Sequence, residues 1–121
     1  MTQPIYQLKA DFFKTLGHPA RIRVLEVLRD GEKSVGDLIP DVGIEASHLS
    51  QQLGILRRAN ILQSRKEGAS VLYAVADPRI YDLLEVARVI LSSSLAGTHA
   101  LLTELESLEF SDPPRRRRRG A

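Results

Sequence analysis

The residues of this chain best suited to chemistry are short or planar hydrogen-bonding side chains gathered on one side of a single expected helix. Between Ala46 and Ala59, Leu49, Leu53 and Leu56 fall at i, i+4 and i+7, a spacing that stacks them on one face that must be buried. At about 100° per residue, Ser47, Gln51, Gly54 and Arg58 lie furthest from that stripe, with His48 and Ser50 beside them. A surface built for solubility alone more often carries Lys and Glu pairs at i,i+4. Ser, Gln and His instead both donate to and accept from base edges in a DNA major groove. Gly54 would let the backbone approach a phosphate closely. The pattern also fits an ordinary amphipathic core helix with a polar outer face, so the segment that follows has to separate the two readings.

After Asn60, Ile61 and Leu62 begin an extended run, Arg65-Lys66-Glu67-Gly68 supplies a charged turn, and Val71, Tyr73 and Val75 alternate with period two. This predicts a β-hairpin with basic residues near its tip, one that needs helices beside it to be stable. Arg65 and Lys66 would reach phosphate or the adjacent minor groove, adding affinity and salt dependence rather than sequence selection. A solvated charged turn is the blander reading of the tip, and adjacency to the polar helix favours the sharper one.

Catalysis needs a nucleophile with a base, or paired carboxylates, in a concave pocket. Here the acids are scattered over expected helix surfaces, the three histidines fall in unrelated elements, and no glycine-rich phosphate loop occurs. With no Cys, disulfides, thiolate metal sites and thiol nucleophiles are excluded. An enzyme is therefore not expected. The 121 residues suffice for one core. No apolar run of about 18 residues could span a membrane, and MTQPIYQLK lacks a signal-peptide pattern, which points to the cytoplasm.

Charge is divided along the chain. The net charge of +2 depends on the run Arg115 to Arg119; residues 1–110 carry 12 Lys/Arg against 14 Asp/Glu. From Glu45 to Tyr73, Arg57, Arg58, Arg65 and Lys66 outnumber Glu45 and Glu67, whereas from Asp77 to Phe110 two arginines face six acids. A basic reading head and an acidic C-terminal helix suit one face for nucleic acid and another for a protein partner.

The elements that must position these groups follow from periodicity. Tyr6 to Leu16 reads as a first helix, punctuated by Gly17-His18-Pro19, with Pro19 opening a second that carries Ile22, Leu25 and Leu28 and ends near Asp30-Gly31. Ser34 is the expected N-cap of a short third helix that runs through Ile39 and is stopped by Pro40. Asp41-Val42-Gly43 then turns the chain into the reading helix. From Asp77-Pro78 onward, Ile80, Leu83, Leu84, Ala87, Ile90, Leu91, Leu95, Leu101, Leu102, Leu105 and Leu108 keep one apolar stripe over about eight turns. So long a stripe cannot be buried on so small a body, and a two-fold dimer is expected through Leu8, Phe12, Leu83, Leu84, Ala87, Ile90, Leu91 and Leu95. A fold-back through Ser92-Ser93-Ser94 and Gly97 is the alternative.

Several strings in fixed order resemble the ArsR/SmtB family of bacterial winged-helix repressors: FKTLGHPARIRVLEVL for its opening helices, SVGDL for its third, ASHLSQQLGILRRANIL for its recognition helix, and RKEGASVLYAV for its wing. The likeness runs from about Asp11 to Leu91. It implies a mainly α winged helix-turn-helix with a small β-hairpin (α-α-α-α-β-β-α), forming a homodimeric transcriptional regulator, usually a repressor. Such a protein binds double-stranded DNA at an inverted-repeat operator and releases it to an inducer, here unknown. The resemblance matches the reading positions onto Ser47, His48, Ser50 and Gln51.

The resemblance also locates two kinds of metal site, and this chain departs from both. A Cys-x-Cys pair in the third helix is replaced by Ser34 and Gly36. The last-helix set falls on Asp77, Arg79, Ile90 and Ser93, keeping one ligand of four. No cofactor is expected. Of the histidines, His18 suits a structural role in its turn, His48 suits base reading, and His99 could join a Ni²⁺ or Zn²⁺ site of another kind. A metal-responsive regulator using His99, or a dimerisation module without DNA binding, are the competing readings. The winged-helix and dimerisation domain is expected over residues 1–110. A disordered basic tail is expected over 111–121, able to travel along phosphates or merely to solubilise.

Overall fold

The computed structural model describes residues 2–111, with side chains at 2–94 and 99–107. Residues up to Pro78 form one compact unit and those from Arg79 onward a second. The first holds α1 (Ile5–Leu16), α2 (Pro19–Val27), a 3₁₀ turn (Leu28–Asp30), β1 (Lys33–Ser34), α3 (Val35–Val42), α4 (Ala46–Arg58), β2 (Leu62–Glu67) and β3 (Ser70–Val75). The second holds α5 (Arg79–Ser93) and α6 (Leu95–Ser111).

Local chemistry accounts for the boundaries that aim α4. His18 caps α2: its Nδ1 accepts the Ala20 N–H at 3.1 Å, and Pro19 fills the first helical position, where no N–H is needed. Ser34 Oγ accepts the Asp37 N–H at 3.2 Å and so caps α3. Pro40 does not stop α3 as its ring suggested; it sits inside the last turn, and the helix ends at Gly43, whose φ of 81° is left-handed. The proline removes an N–H in a helix of eight residues, where tertiary packing outweighs propensity. α4 ends in paired 5→2 and 6→1 hydrogen bonds, Asn60 N–H to Arg57 C=O and Ile61 N–H to Leu56 C=O, both 3.0 Å, with Asn60 at φ 63°. That closure turns the chain directly into β2 and buries Ile61.

The core of the first unit is where the helices meet. Val24, Leu25, Leu38, Leu49, Leu53 and Leu56 are fully buried. At roughly 1.5 to 3 kcal/mol for each such side chain, the three α4 leucines fix which face of that helix turns outward. The wing is a three-stranded antiparallel sheet rather than a bare hairpin. β3 lies in the middle: Lys33 and Ser34 pair with Tyr73 and Leu72 on one side, and β2 pairs from Leu62–Val75 to Glu67–Ser70 on the other. Arg65, Lys66 and Glu67 therefore belong to β2, and the turn is Gly68-Ala69, with Gly68 at φ 63° as a II′-type hairpin allows. Residues 71–75 of this middle strand are all half-buried instead of alternating.

In the second unit the expected single long helix is interrupted at Ser94. The hydroxyls of Ser92 and Ser93 both donate to the Val89 carbonyl, at 3.0 and 2.9 Å, and Ser94 Oγ donates to Leu91 C=O at 2.9 Å. Three successive side chains offer the backbone an alternative to the helical ladder, which ends there. No helix among the described residues is long and apolar enough to cross a membrane.

Candidate nucleic-acid interface

The outer face of α4 is polar and open. Ser47, His48, Ser50 and Gln51 are all exposed, Ser47 and Gln51 opposite the fully buried Leu49, Leu53 and Leu56 and His48 and Ser50 on the flanks. The residues that sequence spacing grouped are thus brought together on one surface. Arg58 is exposed as well, but its guanidinium folds back along the helix: a Cβ built on Gly54 would lie 3.1 Å from Arg58 Nη1. Gly54 is half-buried and leaves room for the Arg58 guanidinium.

Adjacent elements support this face. The His18 ring stands edge-on to that of His48, with centroids 6.2 Å apart and planes at 84°. Gln52 is a polar residue on the buried side, 5% exposed. Its Oε1 accepts from Arg21 Nε at 2.7 Å, while Arg21 Nη1 donates to the Thr15 carbonyl at 3.0 Å. Sequence reasoning passed over Gln52 beside Gln51. The available signal was its place at i+3 from Leu49, on the leucine side of the helix.

On the wing, Lys66 is exposed and has no ion pair among the described residues. Arg65 is engaged: its Nε and Nη2 donate to the two carboxylate oxygens of Glu32, at 3.1 and 2.5 Å, and Nη1 lies 3.7 Å from Glu67. The hydrogen bonds from Arg65 hold the Glu32 carboxyl below the usual carboxylate range, and the same bonds raise Arg65. This planar bidentate geometry is the one a phosphate would use.

Apolar side chains remain uncovered on both units. On α1, Leu8 and Phe12 are exposed together with Ile5, Tyr6 and Phe13. On α5, Leu83 and Leu84 are half-buried, whereas Ala87, Ile90 and Leu91 are exposed. The Leu95 side chain lies outside the described residues, as does the Arg115 to Arg119 tail.

The positions where the resemblance places metal ligands do not fit a metal. Ser34 spends its hydroxyl on capping α3, Gly36 has no side chain, Ile90 is apolar and Arg79 is a cation. His99 is exposed on α6. Among the described residues no group of three or more His, Cys, Asp or Glu side chains is placed to hold an ion.

Comparison with known proteins identifies the family and the fold. The family model described as "Bacterial regulatory protein, arsR family" matches residues 18–64, from the cap of α2 into the wing. An uncharacterized HTH-type transcriptional regulator of Mycobacterium tuberculosis, Rv0081, is 50% identical over 107 residues, covering 88% of this chain and 94% of that protein. The biofilm growth-associated repressor of Agrobacterium fabrum is 42% identical over 76 residues, or 63% of this chain and 65% of the repressor. The crystal structure of M. tuberculosis Rv0081 superposes with a TM-score of 0.69 at 54% identity, over 76% of this chain and 93% of that one. The winged helix-turn-helix, its order of elements and these relatives together make the chain a member of the arsR family of bacterial regulatory proteins, DNA-binding transcriptional regulators rather than enzymes.

Proposed function

We propose that the protein is a homodimeric, cytoplasmic repressor. In this reading it lays α4 of each protomer in successive major grooves of an inverted-repeat operator, about one helical turn apart. The observation that carries this is the α4 face itself, with four exposed hydrogen-bonding residues backed by three fully buried leucines. Ser47, His48, Ser50 and Gln51 read base edges, Arg58 and Lys66 meet phosphates, and Arg65 is the phosphate-shaped reserve held by Glu32. The exposed apolar faces of α1 and α5, including Leu8, Phe12, Ile90 and Leu91, supply the two-fold contact. The Agrobacterium relative's name supports repression. Because the inherited ligand positions are filled by Ser34, Gly36, Arg79 and Ile90, release from DNA does not run through the family's metal sites.

The test is an anisotropy titration of the purified protein on its own upstream promoter fragment, with and without Ni²⁺, Zn²⁺ and a chelator. Tight binding indifferent to metal is expected. A several-fold shift with one metal would instead locate the control at His99 and neighbouring carboxylates. Gln51→Ala is expected to cost about 1 to 3 kcal/mol on the operator and relax base preference, the worth of one bidentate base contact. Unchanged operator affinity in that variant removes α4 as the reading element.

A further inference from the structure

We infer that Arg21 is a positioning residue for DNA reading, one that ties the attitude of α4 to the last turn of α1. The inference rests on the reading of α4 as the base-reading helix and deepens it. Three observations carry it. Gln52 is a neutral polar side chain 5% exposed, placed among α4 leucines that are fully buried. A buried amide is costly unless its hydrogen bonds are made, so its presence on the core side calls for a partner. That partner is Arg21, 31 residues away in sequence, whose Nε donates to Gln52 Oε1 at 2.7 Å.

The same guanidinium reaches the other way. Arg21 Nη1 donates to the Thr15 carbonyl at 3.0 Å, one of the carbonyls that the end of α1 leaves without an intrahelical N–H. The neighbouring carbonyls have local partners: Gly17 N–H donates to Lys14 C=O at 3.1 Å and His18 N–H to Leu16 C=O at 2.8 Å. Arg21 therefore closes the C-terminus of α1, where a cation is electrostatically favoured, and holds the reading helix through Nε. A guanidinium is rigid and planar, so the two contacts are not independent; moving the end of α1 moves the acceptor geometry at Gln52.

Leucine packing alone fixes which face of α4 points outward but leaves small rotations and slides of the helix soft. The charged hydrogen bond removes that freedom next to Gln51 and one turn from His48. Base-edge hydrogen bonds need tightly set geometry, whereas phosphate contacts by long side chains tolerate displacement. Loss of the Arg21–Gln52 contact should thus lower discrimination between operator and random DNA without lowering general DNA affinity.

The experiment uses the full-length protein and measures affinity for its promoter fragment and for a random duplex of equal length, each over a salt series. Wild type is compared with Gln52→Met, Gln52→Glu, Arg21→Lys and Gln51→Ala, and each variant is checked for folding by circular dichroism at the assay temperature. Gln52→Met keeps the volume and removes the acceptor. Arg21→Lys keeps the charge but cannot span Thr15 and Gln52. Both are expected to reduce the operator-to-random ratio by about tenfold, the size of one weakened base contact, with random-duplex affinity and salt slope unchanged. Gln52→Glu keeps an acceptor for Arg21 and is expected to hold the wild-type ratio. A purely structural contact would lower both affinities together through the folded fraction. Folded Gln52→Met and Arg21→Lys proteins with wild-type ratios overturn the inference, as does failure of both to fold. If Gln51→Ala also leaves the ratio unchanged, the reading of α4 itself falls; if it lowers the ratio, only the role of Arg21 does.

Discussion

Glu32 occupies the place on Arg65 that a DNA phosphate would take, so removing its charge should change how strongly binding depends on salt. In Glu32→Gln the bidentate acceptor for Nε and Nη2 is lost, and the neighbouring Glu67, 3.7 Å from Nη1, is too long a contact to replace it. Arg65 then becomes available to the backbone beside Lys66. One added phosphate contact steepens the slope of log affinity against log salt by about 0.9, so a fourfold rise in salt weakens the variant by a further factor of about 3.5 relative to wild type. Anisotropy titrations on one duplex at 50, 100 and 200 mM salt (roughly the range over which such slopes are measured) resolve that difference. Arg65→Ala should leave the wild-type slope in place, and combining the two substitutions should return it. An unchanged slope in Glu32→Gln, or a slope reduced by about 0.9 in Arg65→Ala, would falsify the idea that Glu32 keeps Arg65 off the DNA. The pair also has a pH signature. Because Arg65 lowers the Glu32 carboxyl in the folded protein, its contribution to stability is fully present above the ordinary carboxylate range. It disappears as pH falls through the lowered value, and Glu32→Gln should abolish that part of the acid dependence.

Three further perturbations probe the framework under the interface. Leu53→Ala deletes a fully buried side chain of α4 and should cost about 2 to 5 kcal/mol in urea unfolding; a much smaller loss would mean that the core collapses around the gap. Gly43→Ala forces a Cβ onto a φ of 81° where α3 hands over to α4, with an expected loss of about 1 to 2 kcal/mol, and a neutral result would show that the turn relaxes to another conformation. Ile90, 64% exposed on α5, is expected to be covered by a second protomer. Ile90→Glu should therefore shift sedimentation toward the monomer and lower operator affinity together, whereas an unchanged mass would move the two-fold contact elsewhere.

The parts of the fold that were legible in the sequence are those written in local periodicity. Leu49, Leu53 and Leu56 are spaced for one helical face and are all fully buried. Ser34 stands where an N-cap should and makes the hydrogen bond. Where local rules compete, they misled. Pro40 reads as a stop, but α3 closes only at Gly43. The apolar stripe from Ile80 to Leu105 continues in phase across Ser92-Ser93-Ser94 and favours one long helix, whereas the serine run, which offered the alternative of a break, is where the helix is interrupted and where the hydroxyls bond to Val89 and Leu91. β1 spans two residues, too few to show any alternation, and exists because Tyr73 and Leu72 offer it an edge.

The functional surface divides along the same line. Which residues point outward from α4 follows from helical phase, because apolar burial needs no particular partner and is decided within one element. What holds the helix that carries them depends on a pairing between side chains 31 positions apart, Arg21 with Gln52, and on the wing Arg65 is likewise held by Glu32, 33 positions away. Neither pairing leaves a trace in spacing. Gln51 and Gln52 show the contrast within two adjacent residues: identical in chemistry, one is exposed, and the other is closed over by the core and bonded to an arginine that also holds the end of α1. Residue type therefore suggests what a helix can read, while the long-range polar contacts behind it set how firmly the reading geometry is kept. Substitutions in the Arg21–Gln52 contact should alter specificity before they alter affinity.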